Sequence, residues 1–439
     1  MATFQKALIA RNQARKPGTR MFILLLVIFA SGCSPGTQEP EQILLTREVG
    51  IPTATPFQPD DGTFESPYNA PVPVPSAQAT LFAPGRLPLE QLNLATPQSS
   101  GGSTRPIFYT STNVNPLTGL MVPLPQLLDR RPLAIKVTQY PRYVRPQSGL
   151  TLADVVFEYY IEDGLTRFIA IFYGNNAERV GPVRSGRFFD EHIVRMYHAF
   201  FVFKYADPRV YDYFTGSDLA GYLIVPGNGV CPPFVVGPGD RDTYNNIFLN
   251  TTKFNECIAK RAGVDNDRPS LHSSFFSFIP PTSDQLATRI YTQYSADDYN
   301  YWEYLPKENK YLRYQEVDDI RQEKLPSYAL LTDGLTKLPV KADNVVVLFV
   351  THKFNNLNEE EDEVYHIDLY GSGPAFVFRN GLALKAEWSR NLLDQPLVIT
   401  SPQGTPIYLQ PGITFYQVIG VSSETWHDET DWHFIFDTP

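Results

Sequence analysis

LAIKVTQ (133–139), ADVVFEYYI (153–161) and TRFIAIFYG (166–174) follow one another inside residues 133–174. Each is rich in β-branched and aromatic residues and is bounded by turn formers, so each reads as a strand, wholly or partly buried. Downstream, residues 186–198 place Phe189, Ile193, Met196 and Tyr197 at helical spacing, and AFFVFKYA (199–206) is strand-like again. Asp207-Pro208 is a helix start, with Asp as cap and Pro in the first turn. Residues 251–263 read as a further helix, with Thr251 as cap and Gly263 as stop. Strands interleaved with helices predict a mixed α/β N-terminal domain over 113–284.

Beyond it the pattern turns to β. RIYTQY (289–294), YNYWEYL (299–305), KYLRYQ (310–315) and NVVVLFVT (344–351) are followed by PAFVFRN (374–380), LALKAEW (382–388) and ITFYQVIG (413–420). Asn380-Gly381 supplies the positive φ that a type I′ hairpin turn requires. Residues 285–420 are therefore expected to be a mostly antiparallel β domain, with 421–439 a C-terminal extension. The fold class is α+β. The many Tyr and Phe of this half read as strand packing.

Upstream of the strands the composition changes. Residues 34–112 hold 13 of the 38 prolines, with much Ser, Thr, Gln and Gly. Such a segment cannot bury enough apolar surface to offset its ordering entropy, so 33–112 is expected to be a disordered tether. Residues 1–20 are basic, Met21 to Ala30 form one short apolar run, and Ser31, Gly32 and Cys33 follow directly. The run is short for a membrane span and suits a signal peptide over 1–32. Small residues ending in a cysteine resemble the lipobox of bacterial lipoproteins, which marks Cys33 as the lipidation site. The expected location is extracytoplasmic, lipid-anchored to a bacterial membrane.

Charge narrows the function. Lys+Arg is 37 and Asp+Glu 47, a net charge of -10. Five of the cations lie in the first 32 residues with no acid beside them, so residues 33–439 carry -15. That excludes a nucleic-acid binder, which needs clustered Lys and Arg. Cys231 and Cys257 stand in an exported chain, where a disulfide between them and two free buried thiols are both open readings. Their spacing suits no metal, and no metal site or cofactor is expected. His427 and His433 flank DETDW, a pattern too common to assign to a metal.

The densest charge within apolar strands lies between residues 130 and 190. Asp154, Glu158 and Glu162 sit four apart, and even offsets in a strand share one face. Arg145, Arg167, Arg184 and Arg187 are their available partners. Arg184, Ser185 and Arg187 precede a helix, an arrangement that favours an anion. These eight residues form the candidate ligand pocket. They also admit a plain internal Arg–carboxylate network.

NPLTGL (115–120), RRPLAIKV (130–137), RPQSGLTLADVVFE (145–158), GLTRFIAIF (164–172) and VGPVRSGR (180–187) occur in that order. YLRYQ (311–315), ADNVVVLFV (342–350), IDLYGSGPAFVFRNG (367–381) and LQPGITFYQVI (409–419) follow. Together they resemble the YerB-like bacterial lipoproteins, a two-part domain of unknown function, over about 113–420. The resemblance implies a membrane-anchored envelope protein, linked to peptidoglycan synthesis through partner proteins, and brings no catalytic residues. Tyr244-Asn245 stands where the family usually has His-Asn, which argues against a catalytic histidine there. No HExxH, GxSxG, P-loop or SxxK pattern is present.

Two functions follow. The first is a non-catalytic binding or scaffolding module that recognises a cell-wall component or an envelope protein. The second is a hydrolase of wall glycan, with Asp154, Glu158 or Glu162 as general acid and base. The missing nucleophile motifs and the tether favour the first.

Overall fold

The computed structural model describes residues 113–226, 234–236, 245–258, 263–271, 275–355 and 364–437. The signal peptide, the tether with Cys33, and Cys231 lie outside these. The first half contributes β1 (Leu133–Thr138), β2 (Val155–Tyr160), β3 (Thr166–Phe172), β4 (Phe200–Val202), β5 (Leu223–Ile224), β6 (Phe234–Val236) and β7 (Ile247–Leu249). It also holds α1 (Asp190–Met196), α2 (Pro208–Thr215) and α3 (Phe254–Ile258). The second half contributes β8 (Arg289–Gln293), β9 (Tyr299–Leu305), β10 (Lys310–Glu316), β11 (Tyr328–Leu330), β12 (Lys341–Ala342), β13 (Asn344–Val350) and β14 (His352–Phe354). β15 (Tyr365–Ile367), β16 (Gly371–Arg379), β17 (Leu382–Arg390), β18 (Val398–Thr400), β19 (Thr414–Gly420), β20 (Glu424–Asp428) and β21 (Asp431–Ile435) complete it.

Strands dominate and helices are few and short. β1, β2, β3, β13 and β19 are buried along their whole length, which explains their unbroken apolar sequence. They form the middle of a ten-stranded sheet, in the order β18-β17-β16-β13-β19-β2-β3-β1-β4-β5. The second sheet runs β11-β10-β9-β8-β21-β20, with β12 beside β10.

The expected separation at 284/285 is not a seam in this topology. β19 of the second half pairs in parallel with β2 of the first, from Thr414↔Val155 to Val418↔Tyr159. The α/β-then-β division therefore does not describe the sheets, because strands of both halves hydrogen-bond into one. Most strand pairs of the second half are antiparallel, and β13–β19 and β8–β21 are parallel. Residues 421–439 are no appendage either, since β20 and β21 belong to the second sheet.

Asp207 caps α2, its side chain accepting from Arg209 N. Asn380 and Gly381 both have positive φ, 56° and 72°, and join β16 to β17. The helix expected over 251–263 begins as a 3₁₀ turn capped by the Asn250 side chain and continues as α3 (Phe254–Ile258), with 259–262 outside the described residues. The outer face of the second sheet carries one ring from each of six strands: Tyr328, Tyr314, Tyr301, Tyr291, His433 and Trp426. Such cross-strand ring contacts stabilise a sheet face.

Candidate functional site

Glu158 faces the second sheet from the middle of β2. Arg313 of β10 donates to it twice, Nη1 to Oε2 at 2.7 Å and Nη2 to Oε1 at 2.8 Å. Gln139 Nε2 (2.6 Å) and Gln417 Nε2 (3.1 Å) donate to the same carboxylate. Gln417 Nε2 also donates to Asn300 Oδ1 (2.9 Å), and Thr292 Oγ1 donates to Gln417 Oε1 (3.0 Å). All of these side chains are buried. Burial alone would push Glu158 up, but the Arg313 charge and its hydrogen bonds hold it below the ordinary range.

Arg145 lies at the rim of this inter-sheet layer. It donates to the Glu316 carbonyl (2.6 Å) and carboxylate, and to the Gln139 carbonyl (3.1 Å). Burial and the nearby Asp298 charge push Glu316 up to about 7. Asp298 accepts from Thr166 N and Oγ1, both at 2.7 Å.

Asp154 is a separate feature. It accepts from Asn115 Nδ2 (2.9 Å), from Gly174 N (2.9 Å) and from Tyr173 N, so it pins the end of β3 to the start of β2. Burial raises it to about 6, against the pull of those donors and of Arg130.

Glu162 lies past the end of β2 and takes another direction. Arg187 Nε donates to its Oε2 at 2.7 Å and Arg187 Nη2 donates to Oε1. The expectation that Asp154, Glu158 and Glu162 line one side is therefore corrected. The strand ends at Tyr160, and the turn through Asp163 and Gly164, both at positive φ, carries Glu162 out of the alternation.

The arginines divide in the same way. Arg145 belongs to the inter-sheet layer, while Arg167, Arg184 and Arg187 gather on the other face of the ten-stranded sheet. There Lys136 Nζ contacts Asp190 Oδ1 (3.0 Å) and Tyr159 OH, and Tyr159 OH also donates to Asp190. Arg167 Nη1 donates to the Ser185 carbonyl (3.0 Å). The anion role expected of the helix start does not stand: Asp190 already occupies it, accepting from Arg187 N at 2.7 Å. Burial lowers Lys136 to about 7, opposed by Asp190 and reinforced by Arg167 and Arg187.

Sequence reasoning missed Arg313, Gln417, Glu316, Asp298, Lys136 and Asp190. Cys257 is buried and disulfide-bonded. His427 and His433 fall on opposite faces of the β20–β21 hairpin, stacked on Trp432 and on Tyr291. Among the described residues, no group of three or more His, Cys, Asp or Glu is placed to hold a metal ion.

Comparison with known proteins follows the same two-part order. Residues 117–265 match the Protein of unknown function (DUF3048) N-terminal domain, and residues 290–416 match its C-terminal domain. "Putative lipoprotein YerB" of Bacillus subtilis (strain 168) is 26% identical over 287 residues, 63% of this chain and 77% of that protein. The crystal structure of YerB from Bacillus subtilis matches with a TM-score of 0.58 at 23% identity, covering 70% of this chain and 96% of that one. The chain belongs to the YerB-like family of two-part DUF3048 proteins.

Proposed function

We propose that this protein is an exported, lipid-anchored envelope protein whose folded part is a non-catalytic binding or scaffolding module. One observation carries the non-catalytic reading: each carboxylate of the candidate acid/base set is already engaged. Glu158 is 0% exposed and bridged twice by Arg313. Asp154 is 1% exposed and held by backbone donors. Glu162 is held by Arg187. A glycosidase needs two carboxylates facing one open cleft, about 5–9.5 Å apart. Glu158 and Glu162 serve separate faces of one sheet, so the hydrolase reading lacks support.

The anchoring reading rests on Met21 to Ala30 followed by Ser31-Gly32-Cys33, and on the relative's lipoprotein name. The partner would be a cell-wall component or an envelope protein of peptidoglycan synthesis, as the family resemblance implies.

The test mixes the full-length protein with isolated cell-wall sacculi, pellets them and assays the supernatant for muropeptides. Co-sedimentation without release is the expected result. Released muropeptides would overturn the reading. If the protein stays in solution, crosslinking in cells is expected to recover a membrane protein, and recovery of none would also count against a binding role.

A further inference from the structure

We propose that the edge strand β20 is a docking site for an extended, basic peptide segment of a partner protein, which adds to the second sheet as an antiparallel strand. This rests on the binding reading and gives it a surface. Its test uses no wall material, so the two can fail separately.

The backbone of β20 is half unpaired. Among the described residues it pairs with β21 alone and ends the sheet. Glu429 and Thr430 form a two-residue turn, so Asp428 and Asp431, facing each other across it, exchange backbone hydrogen bonds. Bonding alternates from there. Trp426 and Glu424 turn their N–H and C=O groups toward β21, while Thr425 and His427 turn theirs outward. All five residues of β20 are exposed, which leaves the outward row open to a partner. Such an edge is a template for another strand, and strand addition takes its affinity from these main-chain groups.

The side chains continue the argument. Glu424, Trp426 and Asp428 share the outer face of the sheet, because even offsets in a strand do. Trp426 stacks there on His433, centroids 5.0 Å apart and planes 3° apart. Behind it the row runs to Tyr291 (4.8 Å), Tyr301 (5.1 Å) and Tyr314 (4.6 Å). Those rings cover one another's faces. Trp426 stands last, 45% exposed, so the row has an open end. On an added antiparallel strand, the residue facing Trp426 would sit at a non-hydrogen-bonded position, where facing side chains come closest.

Charge decides the occupant. Glu424 and Asp428 flank Trp426, and Glu429 follows in the turn. The cation next along the sheet, Arg289, is held by Glu303 (3.1 Å) and Asp431 (3.6 Å). A second copy of this chain is the poorer occupant. Two β20 strands paired antiparallel about Trp426 would set Glu424 against Asp428 twice, and like charges directly opposite are destabilising. A segment with Lys or Arg two residues to either side of an aromatic residue puts a cation opposite each acid and a ring opposite Trp426.

The test titrates the full-length protein into a fluorescently labelled peptide, Ser-Lys-Thr-Trp-Thr-Lys-Ser, and follows anisotropy at low salt. Saturable binding is expected, at least about tenfold tighter than that of the same peptide with Glu for both Lys. Methylating the backbone nitrogens of its two Thr keeps charge and ring but removes the donors that would face Thr425 and His427, and is expected to abolish binding. Glu424→Lys combined with Asp428→Lys is expected to reverse the preference toward the Glu peptide. The peptide series on wild-type protein stands whether or not that variant folds. Failure of the Lys peptide to saturate, equal binding of the methylated peptide, or an unchanged preference in the folded double variant would each overturn the proposal. So would sedimentation of the protein alone as a dimer that Trp426→Ala dissociates, which would give the edge to a second copy.

Discussion

Arg313 and Glu158 come from different sheets and meet in a two-point ion pair, 2.7 and 2.8 Å, with neither side chain open to solvent. Removing one partner of a buried pair strands the other charge, at about 3–5 kcal/mol. Glu158→Gln keeps the shape and strands Arg313, so its urea midpoint is expected to fall by a corresponding amount. Glu158→Leu combined with Arg313→Met is expected to recover much of the loss, because an apolar replacement strands no charge. A Glu158→Gln protein within about 0.5 kcal/mol of wild type would remove this pair as a fastener of the sheets.

Glu316 gives the same layer a pH dependence with a defined sign. Its folded pKa is about 7, above the ordinary 4.5, so the folded state binds its proton more tightly than the unfolded chain does. That stability is fully present below pH 4.5 and is lost as pH rises through 7. Buried His192 and His352, both lowered to about 4 by burial, act in the opposite sense from pH 4 to 6.5. The useful quantity is therefore the stability of wild type minus that of Glu316→Gln. It is expected to decline between pH 4.5 and 7. Parallel curves would show that Glu316 does not titrate there.

How much of this was legible depended on how far apart the partners lie. β1, β2 and β3 announce themselves because both faces are buried and the sequence is apolar throughout. Asp207-Pro208 and Asn380-Gly381 work because caps and tight turns are local. KYLRYQE misleads: Tyr311, Arg313 and Gln315 point inward while Leu312 and Tyr314 are half-buried, so the polar residues occupy the inner face. Nothing near Arg313 says that Glu158, far up the chain, is waiting for it. The β19–β2 pairing is equally silent, since parallel partners carry no turn between them to fix their register. The carboxylate triplet failed for a simpler reason: the period of two holds only while the strand lasts.

The anchor has its own test. Wild-type protein is expected in the membrane fraction of cells, and Cys33→Ser in the soluble fraction, because acyl chains on Cys33 would be the hold on the bilayer. Membrane retention of Cys33→Ser would transfer that role to the apolar run Met21 to Ala30 as an uncleaved signal anchor.

The last residues matter to the fold beyond the family-matched span, which ends at 416. β21 pairs in parallel with β8 and turns Trp432, Phe434 and, just beyond it, Phe436 into the core, at 6%, 1% and 7% exposure. Phe434 packs against Phe349, Phe376 and Phe378, and Phe436 stacks on Tyr160 at 4.7 Å. Losing a buried large aromatic typically costs about 3–5 kcal/mol, and whole-protein stability is about 5–15 kcal/mol. A chain stopped at Gly420 loses all three rings and exposes the edge of β8, so it is expected to lose its near-ultraviolet circular dichroism and to aggregate. Phe434→Ala alone is expected to fold with a lowered urea midpoint. A chain ending at Gly420 that unfolds cooperatively at the wild-type midpoint would return these residues to the status of an appendage.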